Sequence, residues 1–140
     1  MPKRTNIRTN LKTACEEIEG MAPESILLGR QRSIPQIRLP ALAIYTENEE
    51  KQTAHIGPPR AFDRSMDLIF EIHLQANTVA EVEALLDSFC EKLETALLAD
   101  ETLGGLTEEI IPVLDEYNLE EDSRSPGGVA QCRYSIKYTD

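Results

Sequence analysis

An α+β fold is what these 140 residues predict: an antiparallel or mixed β-sheet of about five strands, with two main helices packed on one face, in a single domain over 1–140. Three observations carry this. Apolar residues recur at helical spacing in two separate stretches, and period-two alternation marks strands between and after them. The resulting order, α-β-β-β-α-β-β, contains no βαβ series of the kind that builds a parallel sheet.

Ile7, Leu11, Cys15 and Ile18 follow one another at steps of four, four and three, so they share one face of a helix that begins near Thr5 or Asn6 and stops at Gly20. Its charges oppose its own dipole, with Arg8 and Lys12 near the start and Glu16, Glu17 and Glu19 at the end. That inversion is expected where the charges answer to neighbouring elements. Ile26-Leu27-Leu28-Gly29-Arg30-Gln31-Arg32 then reads as a short strand carrying both arginines on one side. The unbroken apolar run from Leu39 to Tyr45 reads as a strand covered on both faces, with Pro40 at its first positions, where no ladder donor is missed. Residues 46–63 are hydrophilic at Thr46–Lys51 and include Gly57-Pro58-Pro59, which indicates a long exposed loop or hairpin.

Met66, Leu68, Phe70, Ile72, Leu74 and Ala76 alternate with mostly polar residues, including His73, and mark the clearest strand, Arg64 to Ala76. Thr78-Val79-Ala80-Glu81 matches a capping box and opens a long helix whose apolar stripe is Val82, Leu85, Leu86, Phe89, Leu93, Ala96 and Leu97. Glu83, Asp87, Glu91 and Glu94 form an acidic ridge on its other side. Gly104-Gly105 makes a turn. A strand from about Glu108 to Tyr117 is expected next, with Pro112 placing it at an edge or a bulge. Leu119–Gly128 reads as a polar loop, and Gln131–Tyr138 alternates as a last strand with one apolar face.

Twenty-five acidic against 14 basic side chains give a net charge of −11. The balance is uneven: residues 1–40 carry seven basic side chains (Lys3, Arg4, Arg8, Lys12, Arg30, Arg32, Arg38) against four acidic ones (Glu16, Glu17, Glu19, Glu24), and the remaining hundred residues are strongly negative. Such a surface repels phosphate backbones and argues against sequence-specific DNA recognition, while leaving a protein partner or a second copy of the chain as a target for complementary patches. No apolar run reaches the ~20 residues that span a bilayer, and the opening residues lack a signal-peptide core, so a soluble protein in a reducing compartment is expected.

Catalytic chemistry is not indicated. His55 and His73 belong to no ligand motif, and Cys15, Cys90 and Cys132 lie far apart along apolar faces, so a disulfide framework, a zinc knuckle and a cysteine nucleophile are all unexpected. No phosphate-loop pattern surrounds Gly104-Gly105, and pairs such as Glu108 and Glu109, or Glu120 and Asp122, arise readily by chance in a chain this acidic. The expectation is no enzyme, no cofactor and no metal.

Several segments, in order, resemble the tail terminators of long-tailed bacteriophages, the family of the lambda minor tail protein U. They are Ile7-Arg8 with Leu11, Gly29-Arg30, Leu39-Pro40-Ala41-Leu42-Ala43-Ile44-Tyr45, Leu68-Ile69-Phe70-Glu71-Ile72-His73-Leu74-Gln75-Ala76 and Tyr134-Ser135-Ile136-Lys137-Tyr138, with Asp100–Leu106 resembling a turn of related tail-completion proteins. The resemblance implies a virion protein, assembled in the host cytoplasm, that forms a homo-oligomeric ring, usually a hexamer, on the head-proximal end of the tail tube. It would stop tube polymerisation and present a docking face to a head-completion or connector protein, with genomic DNA passing through unbound. On that picture Arg30, Arg32 and Arg38 pair head to tail with Glu83, Asp87 and Glu91. The segment 46–63, with Glu47, Glu49, Glu50, His55 and Arg60, and Arg64 at its exit, meets the tube or a neighbour. Two alternatives stand beside it: a head-tail adaptor or neck protein of the same virion, and a small α+β regulatory or ligand-binding module.

Overall fold

The computed structural model describes residues 3–29, 39–53, 62–100, 102–120 and 126–139. Helix α1 (Lys3–Cys15) is followed by a 3-10 turn at Pro23–Ser25 and strands β1 (Ile26–Leu28), β2 (Ala41–Thr53) and β3 (Phe62–Gln75); then come helix α2 (Val79–Leu98) and strands β4 (Glu109–Glu120) and β5 (Gly127–Thr139). The sheet order is β1-β2-β3-β5-β4. Only β1 and β2 run parallel; the other three pairings are antiparallel, so the five-stranded sheet is mixed.

Both helices lie on one face, α1 against β1 and β2, and α2 against β3, β5 and β4. The core between the layers is built by Ile7, Leu11 and Cys15 from α1, the row Met66, Leu68, Phe70, Ile72 and Leu74 from β3, and Val82, Leu86, Phe89, Leu93 and Leu97 from α2. Cys132, Tyr134, Ile136 and Tyr138 close it from β5. Thr78 caps α2 by accepting from the Glu81 N–H at 3.2 Å, while the Glu81 carboxylate reaches back to the N–H of Asn77, one residue before the cap. Ala41, Leu42, Ala43 and Ile44 are all fully buried, as the unbroken apolar run predicts.

Five strand boundaries differ from the sequence reading. The first strand stops at Leu28, because Gly29 turns to φ +102 and donates to the Ile44 carbonyl at 2.8 Å. Of the loop or hairpin expected over 46–63, the described residues show the hairpin: β2 runs on to Thr53 and β3 starts at Phe62, paired from Thr53↔Phe62 inward. The polar run at 46–51 hid this stretch, where backbone ladder bonds to β3 define the strand and hydrophobic alternation does not. At the other end β4 continues to Glu120 and β5 begins at Gly127, so Leu119, Glu120, Gly127 and Gly128 belong to strands rather than to a polar loop. Pro112 does mark an edge strand and a bulge, since β4 closes the sheet and its register shifts between Pro112 and Leu114.

Of the charges that oppose the α1 dipole, Arg8 bonds a neighbouring element, and Lys3 and Arg4 beside it do the same. Lys3 Nζ donates to the Thr139 carbonyl at 2.7 Å, Arg4 pairs with Glu49 at 2.9 Å and Arg8 donates to Thr46 Oγ1 at 2.8 Å. Basic residues at this helix end thus bind the distal halves of β2 and β5.

Candidate functional site

Three surfaces stand out among the described residues. At the β4 edge, Ile111, Val113, Leu114 and Tyr117 are exposed by 37, 61, 48 and 38%. The bulge after Pro112 shifts the pleat so that apolar residues on both sides of it reach solvent. Beside this edge, Glu83, Asp87, Glu91 and Glu94 line the exposed side of α2, whose only basic residue is Lys92. Tyr117 links the two elements by donating its hydroxyl to Asp87 Oδ1 at 2.6 Å. Desolvation, and then that carboxylate, push the phenol above its usual range. Exposed apolar side chains on an edge strand beside a one-signed helix face offer a contact surface to a partner, while Pro112, the bulge and exposed Asp115 and Glu116 blunt the backbone edge against strand addition.

The second surface is the distal β2–β3 hairpin. Glu49 is enclosed by its own chain: Arg4 at 2.9 Å, Arg64 at 3.9 Å, and the Tyr138 hydroxyl, which donates to it. Burial and this carboxylate raise the Tyr138 phenol to about 12. Glu50 is exposed and lines a cavity of about 350 Å³ with Asp63, Arg64, Ser65, Glu108, Lys137 and Tyr138. Glu47, the extra residue of the β2 bulge, forms an ion pair with Arg133 of β5.

The third surface is the sheet face turned away from the helices. Glu71 on β3 is buried there and accepts from Tyr45 Oη at 2.5 Å and Gln131 Nε2 at 2.8 Å, with His73 Nε2 at 3.2 Å. Desolvation opposes its ionised form, yet the hydrogen bonds from Tyr45, Gln131 and His73 together outweigh it and hold the carboxyl below its ordinary 4.5. A depressed carboxylate stabilises the fold fully above its unfolded-state value, and that stabilisation is lost as pH falls through the folded-state value. Stability measured by denaturant titration is therefore expected to drop as pH falls from about 5, and Glu71→Gln to flatten that drop; equal slopes in both proteins exclude the assignment.

Of the residues nominated by sequence, Glu83, Asp87 and Glu91 share one face of α2, and Glu47, Glu49, Glu50 and Arg64 share the distal hairpin. Arg30, Arg32, Arg38, His55 and Arg60 lie outside the described residues. His73 faces away from the helices, as expected, and contacts Glu71. The apolar β4 edge was missed because Val113 and Leu114 read as ordinary strand residues; Pro112, which places the strand at the rim, was the available signal.

The thiols were separated by sequence but not by the fold. All three are buried, and burial raises Cys15 to about 12. Cys90 and Cys132 bring their Sγ atoms to 3.2 Å, and the Asp115 carboxylate joins them, with all three donor atoms within 4.8 Å of one another. The hydrogen bond between the thiols lowers Cys90 and raises Cys132.

No protein-family model matches the chain, and no curated protein matches it. Among solved structures it is similar to a chain of the virion of a native gene transfer agent particle, at 7% identity over 96% of this chain and 95% of that one, with a TM-score of 0.48. No helix among the described residues is long and apolar enough to cross a membrane.

Proposed function

We propose that the chain is a structural virion protein of the tail-terminator kind, which closes into a ring on the head-proximal end of a tail tube, ends tube growth and offers a docking face to the head. The observation that carries this reading is the β4 edge: twelve residues at the rim of the sheet, with exposed Ile111, Val113, Leu114 and Tyr117 beside the acidic side of α2. A neighbouring copy covers that edge in the ring, and a surface that binds the tube but does not resemble its next layer ends the polymer. The acidic helix face suits a passage for DNA, since it gives phosphates no cations to bind. The work is done by binding, without catalysis.

Native mass spectrometry across a concentration series, with and without purified tail-tube ends, tests this. A closed ring is expected, alone or on the tube end. Val113→Lys with Leu114→Lys is expected to raise the assembly midpoint by about tenfold or more, the effect of losing at least ~1.4 kcal/mol of interface energy. Because both side chains are exposed, circular dichroism should show the fold intact. A chain that forms no ring under either condition, or a ring indifferent to the two lysines, overturns the reading.

A further inference from the structure

A cluster at and beneath the β4 edge has buried members that contact between copies does not require. Three elements converge there: α2 brings Cys90, β5 brings Cys132, and β4 brings Asp115, the direct cross-strand partner of Cys132. Cys132 is fully buried and Cys90 nearly so, whereas Asp115 sits on the exposed rim, so two sulfurs lie beneath a carboxylate that opens to water. Tyr117, on the same strand as Asp115, donates its hydroxyl to Asp87 of α2 at 2.6 Å. Tetrahedral zinc with Zn–S of about 2.3 Å sets two thiolates about 3.8 Å apart. The Sγ atoms stand at 3.2 Å, so a side-chain adjustment of about half an ångström brings them to that spacing.

We propose that Cys90, Cys132 and Asp115 bind one thiophilic divalent cation, with zinc the metal that this donor set favours. Both thiols release their protons on binding, Asp115 supplies the third ligand as carboxylate, and a water on the solvent side completes the tetrahedron. The cation offsets the charge gathered by two thiolates and a carboxylate, and it ties the edge strand to both α2 and β5. A disulfide between the same sulfurs needs an oxidant and leaves Asp115 without a role. A binary Cys-Cys hydrogen bond leaves the carboxylate equally idle.

The full-length chain, reduced with a phosphine and stripped by a chelator, is titrated with zinc against a chromophoric competitor, and in parallel with cobalt. One zinc per chain is expected, and cobalt should show thiolate charge-transfer absorption with the visible bands of a tetrahedral site. Cys132→Ser should abolish both. Asp115→Asn, an exposed change that spares the core, should weaken binding at least about tenfold, the least that loss of even an outer-shell partner costs. Cys15→Ala should bind as the parent does. Failure of the reduced chain to hold zinc against the competitor overturns the site, as does affinity unchanged in Asp115→Asn or an intact mass showing a disulfide that, once reduced, takes up no metal.

Discussion

Phe70→Ala is expected to lower the unfolding free energy by about 3–5 kcal/mol. Phe70 is wholly buried at the middle of the central strand, opposite Ile44 of β2 and Cys132 of β5. Its ring meets Tyr134 edge to face, with centroids 5.3 Å apart and planes at 80°, a geometry worth about 0.5–1.5 kcal/mol beyond burial. Collapse around the missing ring is resisted on every side, since β2 and β5 hold the backbone by ladders and the helices close the top. Against a usual total of about 5–15 kcal/mol, the loss takes about a fifth or more of the stability. A urea midpoint measured at unchanged m reads it directly; a change below about 2 kcal/mol means that the layer can close over the gap and is not packed as described.

Gly128→Ala is the second large effect, and its sign turns on a contest of two terms. Removing glycine's freedom from the unfolded chain favours the alanine protein by about 0.4–1 kcal/mol. In the fold, however, a Cβ at Gly128 meets Val82 Cγ1 at 2.6 Å, and Leu119 Cδ2 and Leu86 Cδ1 each at 3.0 Å. Val82 cannot turn its methyl away cheaply, because a β-branched side chain in a helix has one strongly preferred rotamer. Overpacking of this kind costs about 1–3 kcal/mol and wins, so the substitution destabilises. The double variant Val82→Ala with Gly128→Ala should recover part of that loss, since the clash is a pairwise one. Denaturation of all four proteins in the cycle checks it; additive losses exclude contact between the two positions as the cause.

The element order was legible throughout, and the particular residues show why the boundaries were not. Where a strand lies over the core its alternation is plain, as at Met66 to Leu74 or Cys132 to Tyr138. Beyond the core, as at Glu47 to Glu50 and at Asp115 and Glu116, the residues are polar and the backbone ladders define the strand. Gly127-Gly128 looked like loop composition, but at Gly128 it is the close approach of α2 that demands the missing side chain. The acidic ridge was readable from helical spacing alone. Glu71, by contrast, was read simply as an outward residue, since nothing local announces that Tyr45 and Gln131 converge on it from strands 26 and 60 positions away. Cys90 and Cys132 illustrate the same limit: each was placed on an apolar face, and only the stacking of α2 on β5 makes them neighbours.

The position of β5 between β3 and β4 governs how the chain acquires its shape during synthesis. As the nascent polypeptide leaves the ribosome, α1, β2, β3 and α2 emerge first, and one edge of β3 stays bare. β4 then appears with no place to dock, because its ladder partner among the described residues is β5, the strand that follows it. Insertion of β5 zips both edges at once, in pairings as distant as Asp63↔Thr139, and the Thr139 carbonyl takes the Lys3 ammonium from the opposite end of the described chain. Contacts so remote in sequence make for slow folding, and they leave the half-made sheet open to aggregation for as long as β5 is held in the exit tunnel.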